Sequence, residues 1–279
     1  MFQVYHNGSF QPADQPVFLA ANRGYRYGDG LFETMKISGG RILLEESHFD
    51  RLFSGMRTLQ MESPAHWSPE RIREQVLACC RRNGHEQLAR VRLSVYRGNG
   101  GLYEEEGATG YLIESWPLEK SMNQLNENGL VTDIFPDARK AIDAYAALKT
   151  ASFLPYALAA RFAREQRLND CFILNTEGKL ADSTIANIFM VKGDRVSTPS
   201  LEQGCVAGVM RKHLLDSMKR DGTDVQETEI TIQDLLEADE LFLTNAIRGM
   251  LWVSRFRKKT YLPNISTGLH ARYIKPFFD

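Results

Sequence analysis

Residues 141–160 read AIDAYAALKTASFLPYALAA, and Lys149 is the only charged side chain in this stretch after Asp143. If Ser152 caps a helix, Pro155 falls in its first turn, where backbone amides have no internal partner anyway. The pattern therefore places Lys149 at the end of a strand, just before a helix. An ammonium in apolar surroundings loses hydration, so its pKa falls and the amine can form a Schiff base with an aldehyde. The alternative is a lysine whose stem packs on apolar surface while its head reaches solvent.

The bulk properties are those of a globular chain with no excess of either charge. The 279 residues are 43% hydrophobic and 25% charged, and 34 basic against 35 acidic side chains give a net charge of -1. Nothing here attracts a polyanion, so nucleic-acid binding is not expected. The cysteines at 79, 80, 171 and 205 lack metal-ligand spacing, which argues against zinc. With no export signal and no apolar run of membrane-spanning length, the simplest expectation is the cytoplasm.

The first half of the sequence predicts a mixture of strands and helices. Strand patterns occupy 2–5, 31–37, 41–44 and 88–96, and Asn7-Gly8 and Ser38-Gly39-Gly40 are turn signals between them. Apolar residues at helical spacing predict a helix over 48–61. A second helix is predicted to start at Ser68-Pro69, because serine caps a helix and proline fits its first turn.

The second half predicts mostly strands, over 131–135, 170–174, 188–191, 241–244 and 251–256. Before them, residues 115–128 (SWPLEKSMNQLNEN) are polar, contain a proline and lack clear periodicity. We therefore expect an N-terminal α+β domain over 1–114, an interdomain connection over 115–128 and a second domain over 129–279.

Four further segments gain meaning when they are taken together with the lysine. Arg51 is either an exposed helix charge or a phosphate ligand, since guanidinium presents paired donors. Gly208 precedes a helical pattern whose first amides can cradle a phosphate, although many helices start after glycine for steric reasons. Asp182 lies between apolar segments and needs a cation, such as a protonated pyridine nitrogen, or the hydrogen bonds of its own turn. Thr244 and Asn245 end a strong strand and either complete a phosphate site or form a turn.

The order of these segments resembles the class IV, or fold-type IV, pyridoxal-phosphate enzymes. That family includes branched-chain aminotransferases, D-amino-acid aminotransferases and 4-amino-4-deoxychorismate lyases. The matching motifs run from YGDGLFET at 27–34 to TNA at 244–246 and cover nearly the whole chain. The resemblance implies an α/β (α+β) fold with a smaller N-terminal α/β sandwich and a larger, cofactor-binding C-terminal α/β pseudo-barrel.

The resemblance also implies a role for individual residues. Lys149, in Leu148-Lys149-Thr150, is similar to the lysine that forms the Schiff base with pyridoxal 5'-phosphate, and becomes the base once a substrate amine displaces it. The other implied cofactor contacts are Arg51, Val209, Met210, Thr244 and Asn245 at the phosphate, and Asp182 at the pyridine nitrogen. Asp182 departs from the family, which has glutamate five residues before the asparagine that matches Asn187. The shorter side chain keeps the charge but predicts a looser hold or a small backbone shift.

Several features favour the lyase within this family. Leu154 lies five residues after the lysine, where branched-chain enzymes tend to have a tyrosine, and RGNGG at 97–101 resembles the lyase loop. Arg97 is then a candidate ligand for a substrate carboxylate. Lyases often have a second arginine just after that loop, and Leu102 and Tyr103 follow here instead. The lyase is therefore the leading hypothesis, and a transaminase acting on a small amino acid is the alternative.

The resemblance implies a homodimer that acts on a small-molecule amino substrate. Tyr27, Glu33 and Arg248 are candidates to line the substrate pocket, and ordinary structural roles are the alternative for each. A different class of function is a noncatalytic binding protein that keeps the fold without the chemistry. The presence of Lys149, Arg51 and a carboxylate at position 182 argues against it.

Overall fold

The computed structural model describes residues 2–64, 67–104 and 107–278. The chain divides into two compact units, the first made of Met1–Lys120 and Leu148–Phe153, the second of Ser121–Ala147 and Leu154–Asp279. The short segment that carries Lys149 thus groups with the first unit, although the sequence analysis had included it in the second domain. The domain boundaries drawn from the sequence stay a prediction.

The first unit is an antiparallel sheet with helices packed on one face. Its strands are β1 (Gln3–His6), β2 (Ser9–Pro12), β3 (Gly30–Ser38), β4 (Arg41–Ile42), β5 (Leu88–Tyr96) and β6 (Gly110–Pro117), and its helices are α1 (Arg23–Tyr27), α2 (Glu45–Thr58) and α3 (Pro69–Asn83). The strand order is β2-β1-β6-β5-β3-β4, and all neighbours are antiparallel.

Alternation along β3 and β5 decides which side chains enter the core of this unit. Met35 and Ile37 of β3 and Val91 and Leu93 of β5 point to the same side, where they pack against apolar residues of α2 and α3. The intervening residues of both strands belong to the opposite face. Phe32 lies on that second face, and its ring contacts side chains of the candidate site.

Local signals explain where the two long helices begin and end. Ser68 caps α3 by accepting from the Arg71 amide at 3.2 Å, as predicted. Helix α2 begins at Glu45, three residues before the predicted start, where carboxylates favour the positive end of the helix dipole. It ends before Gln60, whose φ of 53° is left-handed and cannot continue a helix.

The second unit is built on a larger sheet. Its strands are β7 (Leu130–Ile134), β8 (Asp170–Leu174), β9 (Leu180–Ser183), β10 (Asn187–Lys192), β11 (Arg195–Pro199), β12 (Val225–Thr228), β13 (Glu240–Asn245), β14 (Gly249–Phe256) and β15 (Lys259–Thr260). Its helices are α4 (Leu154–Glu165), α5 (Val209–Arg220), α6 (Ile232–Glu237) and α7 (Ile265–Leu269). The five predicted strands are all present, whereas the sequence analysis missed β9, β11, β12 and β15.

This sheet curls into the expected half-barrel. The strand order is β12-β11-β10-β13-β14-β7-β8-β9, with β15 paired to β14. Although β9 stands at the end of that order, it also lies against β10 and β11. A buried apolar cluster that includes Phe172, Ile188 and Leu243 fills the concave side. The mixed α/β class and the pseudo-barrel predicted for this half are thereby confirmed.

Three expectations for the middle of the chain need correction. Residues 141–145 are exposed, so the stretch around Lys149 is not a continuous apolar interior. In place of a strand end, Thr150 forms a single antiparallel bridge with Leu31 of β3. Helix α4 starts at Leu154 with Pro155 in its first turn, as predicted. Residues 115–117 continue β6 instead of forming a loop, because they pair with β5.

Among the described residues, no helix is both long enough and apolar enough to cross a membrane.

Candidate active site

Lys149 is fixed by main-chain hydrogen bonds to the start of β3. Its carbonyl oxygen accepts from the Phe32 amide at 2.9 Å, and the Ala151 amide donates to the Gly30 oxygen at 2.8 Å. The side chain is half-buried, and its Nζ lies 4.6 Å from the centre of the Phe32 ring and 5.7 Å from that of Phe153. The apolar surroundings expected for this lysine therefore come from Phe32 of β3 and from Phe153, four residues further along the chain, and not from the exposed residues 141–145.

A second cation, which the sequence analysis missed, shares one of these rings. The guanidinium carbon of Arg92 lies 3.8 Å from the centre of the Phe32 ring, and its Nε donates to Ser94 Oγ at 3.0 Å. Burial lowers the pKa of Arg92. The strand alternation over 88–96 already put Arg92 on the face opposite the core, and that was the available signal.

Glu33 joins two side chains of α2 in a buried ionic cluster. Its Oε2 accepts from His48 Nδ1 at 2.6 Å and from Arg51 Nη2 at 2.5 Å, and its Oε1 accepts from Arg51 Nε at 2.8 Å. Paired bonds of this kind fix the plane of the guanidinium. With 1% exposure, Glu33 has a structural setting, and its predicted contact with substrate finds no support in its position.

The charges of this cluster are determined by burial and by Arg51. Burial alone would raise the pKa of Glu33, but Arg51 and His48 outweigh it and hold this pKa at about 2. Burial lowers the pKa of His48 more than Glu33 raises it, and the charges of Arg51 and Lys149 lower it further. At neutral pH the cluster therefore consists of an anion, a neutral imidazole and a guanidinium whose plane is fixed by the anion.

Asp182, at the end of β9, is the second buried carboxylate. Its Oδ2 accepts from Lys140 Nζ at 2.9 Å, from Tyr156 OH at 2.8 Å and from the Val206 amide at 3.0 Å. Its Oδ1 accepts from Asn187 Nδ2 at 3.0 Å. Oδ2 thus has three donors and Oδ1 only one, so the acceptor site that remains is on Oδ1. That remaining site suits the N–H of a protonated pyridine ring.

The start of α5 and the end of β13 form the candidate phosphate site. Gly208 precedes α5, and no side chain caps the helix, so its first amides face outward without a partner inside the helix. Thr244 pairs with Asn187 across the sheet, and Gly208 lies so close to Asn187 Oδ1 that a Cβ would overlap it. Thr244 Oγ1 is buried and has no hydrogen-bond partner among the described residues. An orphaned hydroxyl beside a helix start fits a phosphate oxygen.

The remaining predicted residues lie close to these groups in sequence but have partners of their own. Val209 and Met210 form the first turn of α5 with buried side chains, so only their amides are available to a ligand. Asn245 Oδ1 accepts from the amides of Ile247 at 3.0 Å and Arg248 at 2.8 Å, which makes the predicted turn. Arg248 lies against Met122 Sδ at 2.8 Å, and its buried Nε lacks a hydrogen-bond partner among the described residues.

Arg97 and Tyr27, the two remaining residues predicted to contact substrate, lie in the first unit and have different environments. Arg97 donates to Asp29 Oδ2 at 3.0 Å and to the Leu59 oxygen at 2.6 Å. Its guanidinium is therefore engaged by the protein, which weakens the expectation that it binds a substrate carboxylate. Tyr27, at the end of α1, is 41% exposed and remains a candidate for contact with a ligand.

Comparison with known proteins identifies the family of this chain. The model of the amino-transferase class IV family matches residues 30–256. This chain therefore belongs to the class IV amino-transferase family, and it is an enzyme of that family. The match extends over both groups of residues described above, from the start of β3 to the end of β14.

Two curated relatives of similar length have different activities. A Methanocaldococcus jannaschii protein, provisionally named a branched-chain-amino-acid aminotransferase, is 29% identical over 87% of this chain and 83% of its own length. The aminodeoxychorismate lyase of Vibrio harveyi is 28% identical over 84% of this chain and 85% of its own length. The fold is similar to that of the branched-chain aminotransferase of the archaeon Thermoproteus uzoniensis with norvaline, with a TM-score of 0.88, 20% identity, and coverage of 99% and 95% of the two chains.

Proposed function

We propose that this enzyme holds pyridoxal 5'-phosphate through Lys149 and acts as a 4-amino-4-deoxychorismate lyase that releases 4-aminobenzoate and pyruvate. The observation that carries the proposal is the pair of cationic side chains on one ring, with Lys149 Nζ at 4.6 Å and Arg92 at 3.8 Å from the centre of Phe32. An amine that can act as a nucleophile and a permanent cation that contacts the same aromatic ring suit an amino substrate that has a carboxylate.

Each residue of the candidate site has a separate proposed role in cofactor binding or proton transfer. Lys149 Nζ attaches the cofactor and later holds and returns the proton that the reaction moves. Arg51, oriented by Glu33, supplies one set of phosphate donors, and the first amides of α5 with Thr244 Oγ1 supply the other. Asp182 would hold a proton at the ring nitrogen of the bound cofactor through its Oδ1. When bound, the cofactor supplies the electron sink that amino-acid side chains lack.

The preference for a lyase depends on the position five residues after the lysine. Leu154 has no hydroxyl that could contact a cofactor, and its side chain is 66% exposed. The resemblance places a tyrosine there in branched-chain enzymes. The tyrosine that α4 provides instead, Tyr156, donates its hydrogen bond to Asp182. The similarity to the aminodeoxychorismate lyase of Vibrio harveyi also favours a lyase.

A transaminase acting on a small amino acid is the second candidate. The engagement of Arg97 by Asp29 removes one cation that a substrate with two carboxylates would use. The exposed side chains of Leu102 and Tyr103 supply no replacement. The Methanocaldococcus jannaschii relative also favours a transaminase.

Parallel substrate assays separate the two candidates. The purified protein, loaded with pyridoxal 5'-phosphate, is incubated with aminodeoxychorismate, and 4-aminobenzoate and pyruvate are followed together. Equal release of both products supports the lyase. Release of neither, with amino transfer from a small amino acid to 2-oxoglutarate, selects the transaminase. In both cases Arg92→Met should raise KM about tenfold or more because a carboxylate contact is lost, whereas Arg90→Met, at an exposed position on the same strand, should not.

A homodimer in the cytoplasm is proposed as well. Large apolar side chains of the first unit, among them Leu19, Tyr25 and Tyr103, are mostly exposed, which is typical of surfaces that contact another chain. The four cysteines are buried free thiols, in keeping with a reducing compartment. Sedimentation equilibrium should give twice the chain mass of 31.7 kDa, and a monomer at micromolar concentration would refute the dimer.

A further inference from the structure

Lys140 brings a positive charge to the carboxylate that the proposed function assigns to the ring nitrogen. Its Nζ lies 2.9 Å from Asp182 Oδ2, and the two side chains are 12% and 3% exposed. The main chain of Lys140 is also fixed, since its amide donates to the Leu174 oxygen at 2.8 Å and its oxygen accepts from the Thr176 amide at 3.1 Å. The cation is therefore held in place by its backbone as well as by its charge.

The other donors to Asp182 are neutral. Tyr156 donates its hydroxyl, and burial, followed by the charge of Asp182, raises the pKa of Tyr156 far above neutrality, so this phenol stays protonated. The Val206 amide and the Asn187 side chain complete the set. Of these four donors only Lys140 is charged, and it binds Oδ2, whereas the open acceptor site lies on Oδ1.

We propose that Lys140 is a resident counter-ion for Asp182: it stabilises the buried carboxylate in the cofactor-free enzyme and competes with the ring nitrogen once the cofactor is bound. The inference rests on the proposed function. A buried carboxylate without a cation is costly, so Lys140 stabilises the empty site. A second cation at the same carboxylate is repelled by the first, so Lys140 weakens the attraction of Asp182 for a protonated ring.

Opposite effects on stability and affinity distinguish this role from simple packing. Removal of the charge at position 140 should lower the stability of the cofactor-free enzyme and tighten its hold on the cofactor. A lysine that only maintained the shape of the site would, when removed, lower both. If the two effects are opposite, Lys140 is a positioning residue for Asp182, and the charge of Lys140 limits the affinity for the cofactor.

The test compares Lys140→Met with Lys140→Arg, which retains the charge. Lys179→Met is the matched control, because Lys179 forms a more exposed ion pair with Glu229 at 3.3 Å in the same unit. For each variant we would measure the melting temperature without cofactor and the dissociation constant of pyridoxal 5'-phosphate. Lys140→Met should melt about 5 °C lower or more, and should bind the cofactor about fivefold more tightly. Lys140→Arg and Lys179→Met should stay close to the wild type in both.

The other possible outcomes refute either the counter-ion role of Lys140 alone or the proposed function as well. A Lys140→Met variant whose dissociation constant is unchanged or weaker, beside a wild type that binds normally, overturns the counter-ion role and leaves the proposed function intact. A wild type that binds no cofactor overturns both. Should Lys140→Met fail to fold, Lys140→Gln keeps a hydrogen-bond donor without the charge, and it must show the same tightening.

Discussion

The two buried carboxylates of this enzyme, Glu33 in the first unit and Asp182 in the second, are paired in different ways. Glu33 is held by two side chains of one helix, and the guanidinium of Arg51 keeps its pKa at about 2. Asp182 receives its donors from four separate segments, and only Lys140 among them is charged. The first carboxylate has a permanent cation to orient, whereas the second has an acceptor site to offer.

The hydrogen-bond partners of each buried carboxylate indicate its role. Glu33 orients Arg51, because a bidentate pair fixes the plane of the guanidinium. Asp182 is itself the proposed contact, because three neutral donors and Lys140 hold it in place. The predictions below test this contrast, beginning with the lysine on which the chemistry of both groups depends.

Replacement of Lys149 by alanine should have the largest effect. Without its amine no covalent attachment of the cofactor is possible, so turnover should fall by about a thousandfold or more whichever reaction is correct. Steady-state assays with the preferred substrate measure this loss. Lys179→Ala is the control and should keep full activity, and full turnover in Lys149→Ala would remove the basis of the comparison.

Replacement of Glu33 by glutamine should destabilise the first unit by about 3 kcal/mol at neutral pH, because Arg51 loses its buried counter-ion. The folded-state pKa of Glu33, about 2, lies below its ordinary value of 4.5. Its contribution is therefore complete above pH 4.5 and disappears as the pH falls toward about 2. Urea unfolding of the wild type and the variant between pH 7 and pH 2 should give two curves that converge in acid.

The control for this prediction is Glu165→Gln, which changes an exposed pair with Arg161 one turn away on α4. That variant should leave stability unchanged across the same pH range. A constant gap between the wild type and Glu33→Gln down to pH 2 would contradict the assignment of the ionised carboxylate.

Substitution of Gly208 by alanine should disturb the Asp182 side of the comparison. The backbone there has an ordinary φ of -67°, so the only obstacle is the overlap of a new Cβ with Asn187 Oδ1. Displacement of Asn187 loosens Asp182 and should cost about 2 kcal/mol of stability. Gly268→Ala is the control, since a Cβ at that position meets nothing within 4 Å. Equal melting temperatures for both variants would show that the contact is not tight.

Replacement of Thr244 by valine should have the smallest effect on stability, and in the opposite direction. The buried Oγ1 has no partner among the described residues, so its removal should stabilise the cofactor-free enzyme by up to about 1 kcal/mol. Cofactor affinity should fall at the same time, because a phosphate donor is lost. Thr244→Ser should retain that affinity. A valine variant that binds the cofactor as well as the wild type would exclude Thr244 from the phosphate site.

Local signals in the sequence were sufficient for much of the fold. The Ser68 cap, the Gly208 helix start and the alternation of β5 follow from interactions within a few residues, and the structure has all three. The family resemblance supplied the half-barrel. Within 141–160 the helix around Pro155 was predicted correctly, but the expectation of a continuous apolar interior before Lys149 was wrong because residues 141–145 are exposed.

The missing parts of the site are those that depend on contacts between distant segments. Lys140 and Asp182 are 42 residues apart, and no periodicity relates them. Arg92 joins Lys149 only because both reach the same ring on β3. The glutamate-to-aspartate departure was visible at position 182, but the donors that accommodate the shorter side chain become apparent only when β9 and α4 are folded.

The most direct test of the central claim is peptide mass spectrometry after borohydride treatment of the enzyme loaded with pyridoxal 5'-phosphate. The reduction should leave a single pyridoxyl group on the peptide that contains Lys149, and the same treatment of Lys149→Ala should leave none. A modified peptide from any other part of the chain, or an unmodified Lys149 peptide in the wild type, would contradict the account.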